Sequence, residues 1–405
     1  MREWTDEQRA LRAGFADDFA AWGEDHVRRD RESEFPSDQW KLVGDSGLLR
    51  LPFGPEWGGL GQNLLTTMYV LEGLGYGCRD GGLNFSVSTH MVSAGVPIQR
   101  YGSDRLKDRY LRRICEAAGI GAHAITERHG GSDAAAMRTT AVADGDDYVL
   151  NGEKSFVSNG PVADIFLVYA RTTPGTGTFG ITPFVVEADT PGLTIGRPID
   201  TTGLRTSPFC NLTFDDCVVP ASNMIGHRGQ GFLVLDYVMK WEVLCTYAIT
   251  LGAMQHRLDR CVQYARSRQR FGARTAHSRM IADKVVRMKI DVETSRKWVY
   301  DTADWFLAGA DVATEIAITK LLVGEGNLKS AADAVQIFGG PGRVVDHGRS
   351  VDHGRVVDHG RVVDHGLEKD LRDADDAAVH PETSEAQRDE IARLLGVSRT
   401  GRWGR

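Results

Sequence analysis

Apolar residues recur at helical spacing from the amino terminus to about residue 120, with little punctuation. In SDRLKDRYLRRICEAAG, Leu106, Tyr110, Leu111 and Ile114 fall on one face, Ser103 stands where an N-cap belongs and Gly119 where a helix stops. From about 121 to 232 the texture changes to short β-branched runs divided by turns: TTAVADGDDYVLNGEKSFVSNG, ADIFLVYART, ITPFVVEAD, LTIGRPI and CNLTFDDCVVP. The string DGDD predicts a hairpin. After Gly231 helical spacing returns and holds through about 336, in segments such as FLVLDYVMKWEVLCTYAITLGAMQHRLDRCVQYARSRQ and ADKVVRMKIDVETSRKWVYDTADWFLAGA. Helices, then strands, then helices predict an α+β chain. Its expected parts are an N-terminal helical domain over 1–120, a β domain over 121–232 and a C-terminal helical domain over 233–405.

Residues 343–366 break every pattern. They read RVVDHG, RSVDHG, RVVDHG, RVVDHG, a tandem hexapeptide repeat that departs from identity only at Ser350. Such near-identity points to a genetic duplication, because a selected solenoid varies its exposed positions and caps its ends. Its Asp-His pairs (Asp346–His347, Asp352–His353, Asp358–His359, Asp364–His365) carry groups able to ligate a metal. Adventitious binding is the expectation there, and no resident metal is expected.

At 405 residues the chain has room for two to three domains and a sizeable core. Lys and Arg number 48 against 55 Asp and Glu, a net charge of −7, which argues against a nucleic-acid binder held by phosphate neutralisation. With 41% hydrophobic and 25% charged residues, neither wholesale disorder nor a membrane protein fits, and no apolar run approaches the roughly 18 residues of a bilayer span. The opening MREWTDEQRALRAGFADDFAAWGEDHVRRDRE mixes both signs of charge, unlike a signal peptide, so a cytoplasmic location is expected. Cys78, Cys115, Cys210, Cys217, Cys245 and Cys261 form no CxxC pair and read as reduced packing residues.

Glu242 is the first candidate for chemistry. In LDYVMKWEVLCTYAITLG it shares a helical face with Leu235, Val238, Met239, Cys245, Thr246 and Ile249, while Asp236 and Lys240 pair on roughly the opposite side. A carboxylate on an apolar stripe is either half of a buried ion pair or a base whose pKa burial raises. The loop GAHAITERHGGSD offers freed amides at Gly130 and Gly131 and hydroxyls at Thr126 and Ser132, suited to an anion or a flavin ring or simply to a glycine turn. In RSRQRFG, Arg266, Arg268 and Arg270 are either donors for a pyrophosphate or a solvated charge run. In DAVQIFGGPG, Gln336 and the glycines at 339, 340 and 342 are either a further phosphate contact or a helix stop.

In this order and spacing the motifs resemble the acyl-CoA dehydrogenase family over nearly the whole chain. AITERHGGSD resembles the family's flavin-binding stretch, NGEKSFVSNGPVAD its NGxKxWITNGxxAD strand, and GLRTSPFCNLTFDDCVVP its MGxRxSxTxxxxFxxVxVP; SRQRFG, QIFGGPG, LRDAD and TSEAQRDEIARLLG follow in family order. The resemblance implies a β-barrel-like middle domain, a C-terminal four-helix bundle and FAD as cofactor. Ile125, Thr126, Ser132, Phe156 and Ser158 would surround the isoalloxazine, Phe156 in place of the usual Trp and Ser158 of the usual Thr. Arg268 and Phe271 would reach the adenine-diphosphate portion of FAD across a dimer interface, with Gln336 and Gly340 on its pyrophosphate and Thr383 and Glu385 nearby. A homodimer or homotetramer is therefore implied.

Many members carry the catalytic base in a YEGTSE-like string, but here it reads HPETSE and the matching position is Pro381. A minority, resembling isovaleryl- and long-chain acyl-CoA dehydrogenases, place the Glu on the central helix ten residues before a glycine. Glu242 stands so before Gly252, with Glu382 the fallback. The implied reaction is α-proton removal by Glu242 and β-hydride transfer to flavin N5, the enolate stabilised by bonds to the thioester carbonyl. The residue after the base, commonly an Arg that holds the pantetheine arm, is Val243; Arg279 stands where a cofactor-contacting Gln is common, and Arg128 and His129 add positive potential to the flavin loop. These departures leave branched-chain, polyketide-like and carrier-protein-bound acyl groups open beside free acyl-CoA. Electrons would pass to an electron-transfer flavoprotein, or to oxygen. The alternative is a catalytically silent relative on the same scaffold, its FAD binding impaired by the 18 extra residues that three additional repeat units contribute.

Overall fold

The computed structural model describes residues 2–130, 136–270, 273–343, 357–358, 361–362, 366–379 and 383–397. Among the described residues, helices predominate up to Cys115 and from Gly231 onward, the latter part also holding two short two-stranded ladders, Gln269–Arg270 with Ala273–Arg274 and Val357–Asp358 with Arg361–Val362; one seven-stranded sheet lies between them.

In the N-terminal layer Ser103 caps the helix Asp104–Cys115 by accepting the Leu106 amide, and Leu106, Tyr110, Leu111 and Ile114 are buried. The helix stop differs from expectation. Ala117, at φ 51°, takes the left-handed conformation two residues before Gly119. Packing holds it there, since a Cβ on Gly44 would come within 2.6 Å of the Ala117 methyl, so Gly44 makes the room.

The strands are β1 (Gly121–Ala124), β2 (Thr140–Asp144), β3 (Asp147–Ser158), β4 (Ile165–Arg171), β5 (Ile181–Glu187), β6 (Leu193–Ile195) and β7 (Phe209–Pro220). Their order is β1-β4-β2-β3-β7-β6, with β5 also on β4. The DGDD string is the expected hairpin, pairing Asp144 with Asp147 around Gly145 at φ 58°. Along β4 the apolar run is buried on both faces: Ile165, Leu167 and Tyr169 join the core shared with the helices, and Phe166, Val168 and Ala170 the core within the sheet.

The C-terminal layer holds helices Gly231–Ser267, Arg279–Leu307, Ala313–Phe338, Leu367–Val379 and Ser384–Leu394. The first, 37 residues long, is the central helix. It crosses Leu64–Gly77 with backbones almost touching: a Cβ on Gly75 would meet the Ile249 carbonyl oxygen at 1.8 Å, and one on Gly252 the Glu72 carbonyl oxygen at 2.0 Å. Helix Leu367–Val379 is tied to the other two layers. Arg372 pairs with Asp30 at 2.6 Å, and Asp373 and Asp376 accept the amides of Leu204 and Gly203 at 2.7 Å each.

Candidate active site

Glu242 stands on the central helix among buried Val238, Val243, Cys245 and Ile249, and its side chain is 19% exposed. Lys240 and Asp236 pair at 2.6 Å, as the helical spacing predicts. The Ser93 hydroxyl donates to Oε2 of Glu242 at 2.7 Å, and Nδ1 of His123, on β1, lies 3.7 Å from the same oxygen. The His123 ring also meets Tyr169 edge-on. Burial first, and then the charge of Glu242, push the Tyr169 hydroxyl and the Cys245 thiol well above their ordinary values. Both stay protonated and neutral at working pH, so neither can take a proton, unlike the carboxylate of Glu242. One helical turn on, Thr246 lines a cavity of about 110 Å³ together with Phe85, Ile249, Thr250 and Ala253.

A second cluster forms at the ends of β1 and β3. The Ser155 amide donates to the Thr126 carbonyl at 2.8 Å, which sets Thr126 beside Phe156. Phe156 adopts φ 55° and leaves its ring 57% exposed, while Ile125, Thr126 and Ser158 are half-buried. A bulky residue in the left-handed region that also turns its ring away from the core is unusual on both counts. An exposed ring near the half-buried Thr126 and Ser158 offers an apolar face of the kind that suits a flat conjugated ring. Beneath it Lys154, fully buried, donates to the Ile125 carbonyl at 3.0 Å and to Glu127 at 2.9 Å.

The remaining candidates lie elsewhere. Gln336 and Gly340 are exposed at the end of helix Ala313–Phe338, where Gly339 at φ 68° stops the helix. Arg268 is half-buried just past the central helix. Thr383 caps the last helix by accepting the Ala386 amide at 3.3 Å, with Glu385 exposed in its first turn. Ser132, Phe271, Pro381, Glu382 and most of the repeat lie outside the described residues. Sequence reasoning missed Ser93, His123 and the roles of Lys154 and Asn159. The last two sit inside the quoted NGEKSFVSNG motif, which was their available signal; no local pattern marks Ser93 or His123.

The fold, the glycine crossing and the placed carboxylate define a class, and comparison with known proteins gives it a name. Residues 5–118, 122–217 and 229–395 match the family models of the N-terminal, middle and C-terminal domains of acyl-CoA dehydrogenase. The chain belongs to the acyl-CoA dehydrogenase family. It is 35% identical to the L-prolyl-[peptidyl-carrier protein] dehydrogenase of Pseudomonas fluorescens over 383 residues, 94% of each chain. Among solved structures it resembles the prolyl acyl carrier protein oxidase AnaB, with TM-score 0.89 and 33% identity over 97% of this chain and 100% of that one. It also resembles PigA with FAD and proline, with TM-score 0.90 and 30% identity over 98% and 100%. Among the described residues no helix is long and apolar enough to cross a membrane.

Proposed function

We propose that this chain dehydrogenates an L-prolyl thioester carried on a peptidyl carrier protein, with Glu242 as the base. As a member of its family it is a FAD-dependent oxidoreductase of acyl thioesters. The observation that carries the reading of the site is Glu242 itself, a carboxylate on an apolar helix face with one oxygen held by Ser93. The α-carbon of a thioester is acidified by the carbonyl, so its proton can pass to Glu242 as a carbon–carbon double bond forms between Cα and Cβ. FAD, when bound, would supply the acceptor for the hydride that leaves the β-carbon. Thr126, Phe156, Ser158 and Ile125 would hold its ring. Gln336, Gly340 and Arg268, exposed or half-buried away from that surface, suit contacts with the cofactor of a second copy, and Ser132, Phe271, Thr383 and Glu385 belong to the same proposed set.

The likeness to known enzymes favours a carrier-bound amino-acyl group over a free CoA ester. The dehydrogenase and oxidase relatives named above act on prolyl carrier proteins. A homodimer or homotetramer, with an electron-transfer flavoprotein as acceptor, completes the proposal. Nothing in the site favours a silent scaffold.

The test is the visible spectrum of the purified holoenzyme under anaerobic conditions. Prolyl-loaded carrier protein is expected to bleach the flavin band, while butyryl- and isovaleryl-CoA leave it in place. Bleaching by a CoA ester and not by the prolyl carrier protein would overturn the substrate assignment and retain the reaction.

A further inference from the structure

Two side chains from outside the central helix meet one oxygen of Glu242. Ser93 reaches Oε2 from the N-terminal layer and His123 approaches it from the sheet, at 2.7 and 3.7 Å. All three layers of the protein thus converge on a single carboxylate oxygen.

Ser93 belongs to a π-helical turn, Thr89–Gly95, set within an otherwise α-helical run from Gly81 to Tyr101. Such a turn holds an extra residue, rotates the following side chains relative to an α-helix and tends to mark functional places. This one is pinned from outside. His90 Nδ1 accepts the Gly121 amide at 2.9 Å, so its proton sits on Nε2, which donates to the Ile114 carbonyl at 2.9 Å. Burial lowers His90 to about 4, which keeps the ring neutral and the pattern intact at physiological pH. Through His90 the turn that carries Ser93 is fastened to the start of β1, two residues from His123. Asn159 reinforces the junction, donating to the carbonyls of Ser86 and Gly121 at 3.1 Å each.

We propose that Ser93, by its hydrogen bond to Oε2, and His123, by packing beside the same oxygen, are positioning residues that keep the Glu242 carboxylate in the orientation that meets the substrate's α-carbon. The proposal rests on Glu242 being the base. An untethered Glu side chain samples several rotamers, and proton transfer is lost steeply when the reacting atoms are misplaced. A hydrogen bond to the carboxylate also favours its ionised form. The titratable groups that face it are His123 from β1, Tyr169 from β4 and Cys245 on its own helix.

The experiment compares Ser93→Ala, Ser93→Thr, His123→Gln and Glu242→Gln in the full-length holoenzyme, by anaerobic stopped-flow reduction with prolyl-loaded carrier protein across pH. Ser93→Ala is expected to lower the limiting reduction rate by about tenfold to a hundredfold, with substrate Kd and FAD content unchanged. The acid limb of its rate–pH profile should move to higher pH, and Ser93→Thr should restore most of the rate. His123→Gln should likewise lower the rate more than the affinity. If Glu242→Gln is inactive while Ser93→Ala and His123→Gln reduce at the wild-type rate with an unshifted acid limb, the positioning proposal alone is overturned. If Glu242→Gln reduces normally, the base assignment falls and takes this proposal with it.

Discussion

The ammonium of Lys154 lies 2.9 Å from Oε1 of Glu127, and that carboxylate also accepts the amides of Arg138 and Thr139 at 2.6 and 2.9 Å. With its bond to the Ile125 carbonyl, Lys154 fastens the strand end that carries Ile125 and Thr126 from below. Lys154→Met would leave Glu127, 10% exposed, with its two amide donors but no cation, a loss that typically costs about 1.5–3 kcal/mol. The expected outcome is lower stability to denaturant and a reduced flavin-to-protein absorbance ratio. Unchanged values of both would mean the pair does not hold this surface.

The same lysine gives a pH signature. Burial, partly offset by Glu127, lowers Lys154 from 10.5 to about 8. Between those two values the unfolded chain keeps a proton that the folded chain has lost, so linkage makes this residue's share of stability rise with pH across that window. Denaturant unfolding below and within the window should show the rise in the wild type and its absence in Lys154→Met. Equal slopes in the two proteins would refute the assignment.

Glu242→Gln preserves shape and removes basicity. It is expected to retain bound FAD and to slow flavin reduction by substrate about a thousandfold, within the range that general-base catalysis supplies. Rapid-mixing absorbance under anaerobic conditions measures it, and near-normal reduction would transfer the role to another group.

Glu242 was legible because helical periodicity is a local pattern: Val238, Cys245 and Ile249 declare the apolar face within two turns of it. The glycine ten residues on was legible only as a family spacing, and its physical reason is the backbone crossing at Gly75 and Gly252. Ser93 could not be read, since it lies 149 residues away in sequence and no sequence signature announces a π turn. His123 sits in a strand and looks like any half-buried histidine until β1 is placed beside the central helix. Gly119 misled because glycine is only the commonest left-handed residue, and Ala117 takes that role where Gly44 leaves space.

Phe156→Ala separates folding from cofactor binding. A ring 57% exposed contributes little burial to the fold, and the left-handed backbone is no easier for Phe than for Ala. Stability of the FAD-free protein should change by no more than about 0.5 kcal/mol, while FAD affinity falls and Phe156→Trp keeps it. Chemical denaturation and fluorescence titration with FAD check the two halves. Loss of stability with unaltered affinity would place the ring in the fold instead.

Gly252→Ala tests the crossing that sets the depth of Glu242. A methyl group there would lie 2.0 Å from the Glu72 carbonyl oxygen, a backbone atom that can move only if the helices part. Overpacking of this kind costs roughly 3 kcal/mol or more, and the expected result is a marked drop in denaturation midpoint. A midpoint within error of the wild type would show that the two helices separate freely.

Both ends of the tandem repeat are anchored. On its N-terminal side Phe338 stacks on Tyr264 at 3.9 Å and Gly342 is buried; on its C-terminal side Leu367 is 1% exposed and Lys369 is fully buried against Asp373. Burial lowers Lys369, but the charge of Asp373 and the other acidic groups around it outweighs this and raises it well above its ordinary value, as expected of a firmly paired group. Extra chain between two fixed points adds only a slowly growing closure entropy, about 0.6 kcal/mol per doubling of length. Deletion of residues 349–366 leaves one RVVDHG unit to span the gap and should change neither FAD content nor the rate of flavin reduction. A large gain in FAD content on deletion would show that the added units displace the contacts at Gln336 and Gly340 that the cofactor needs.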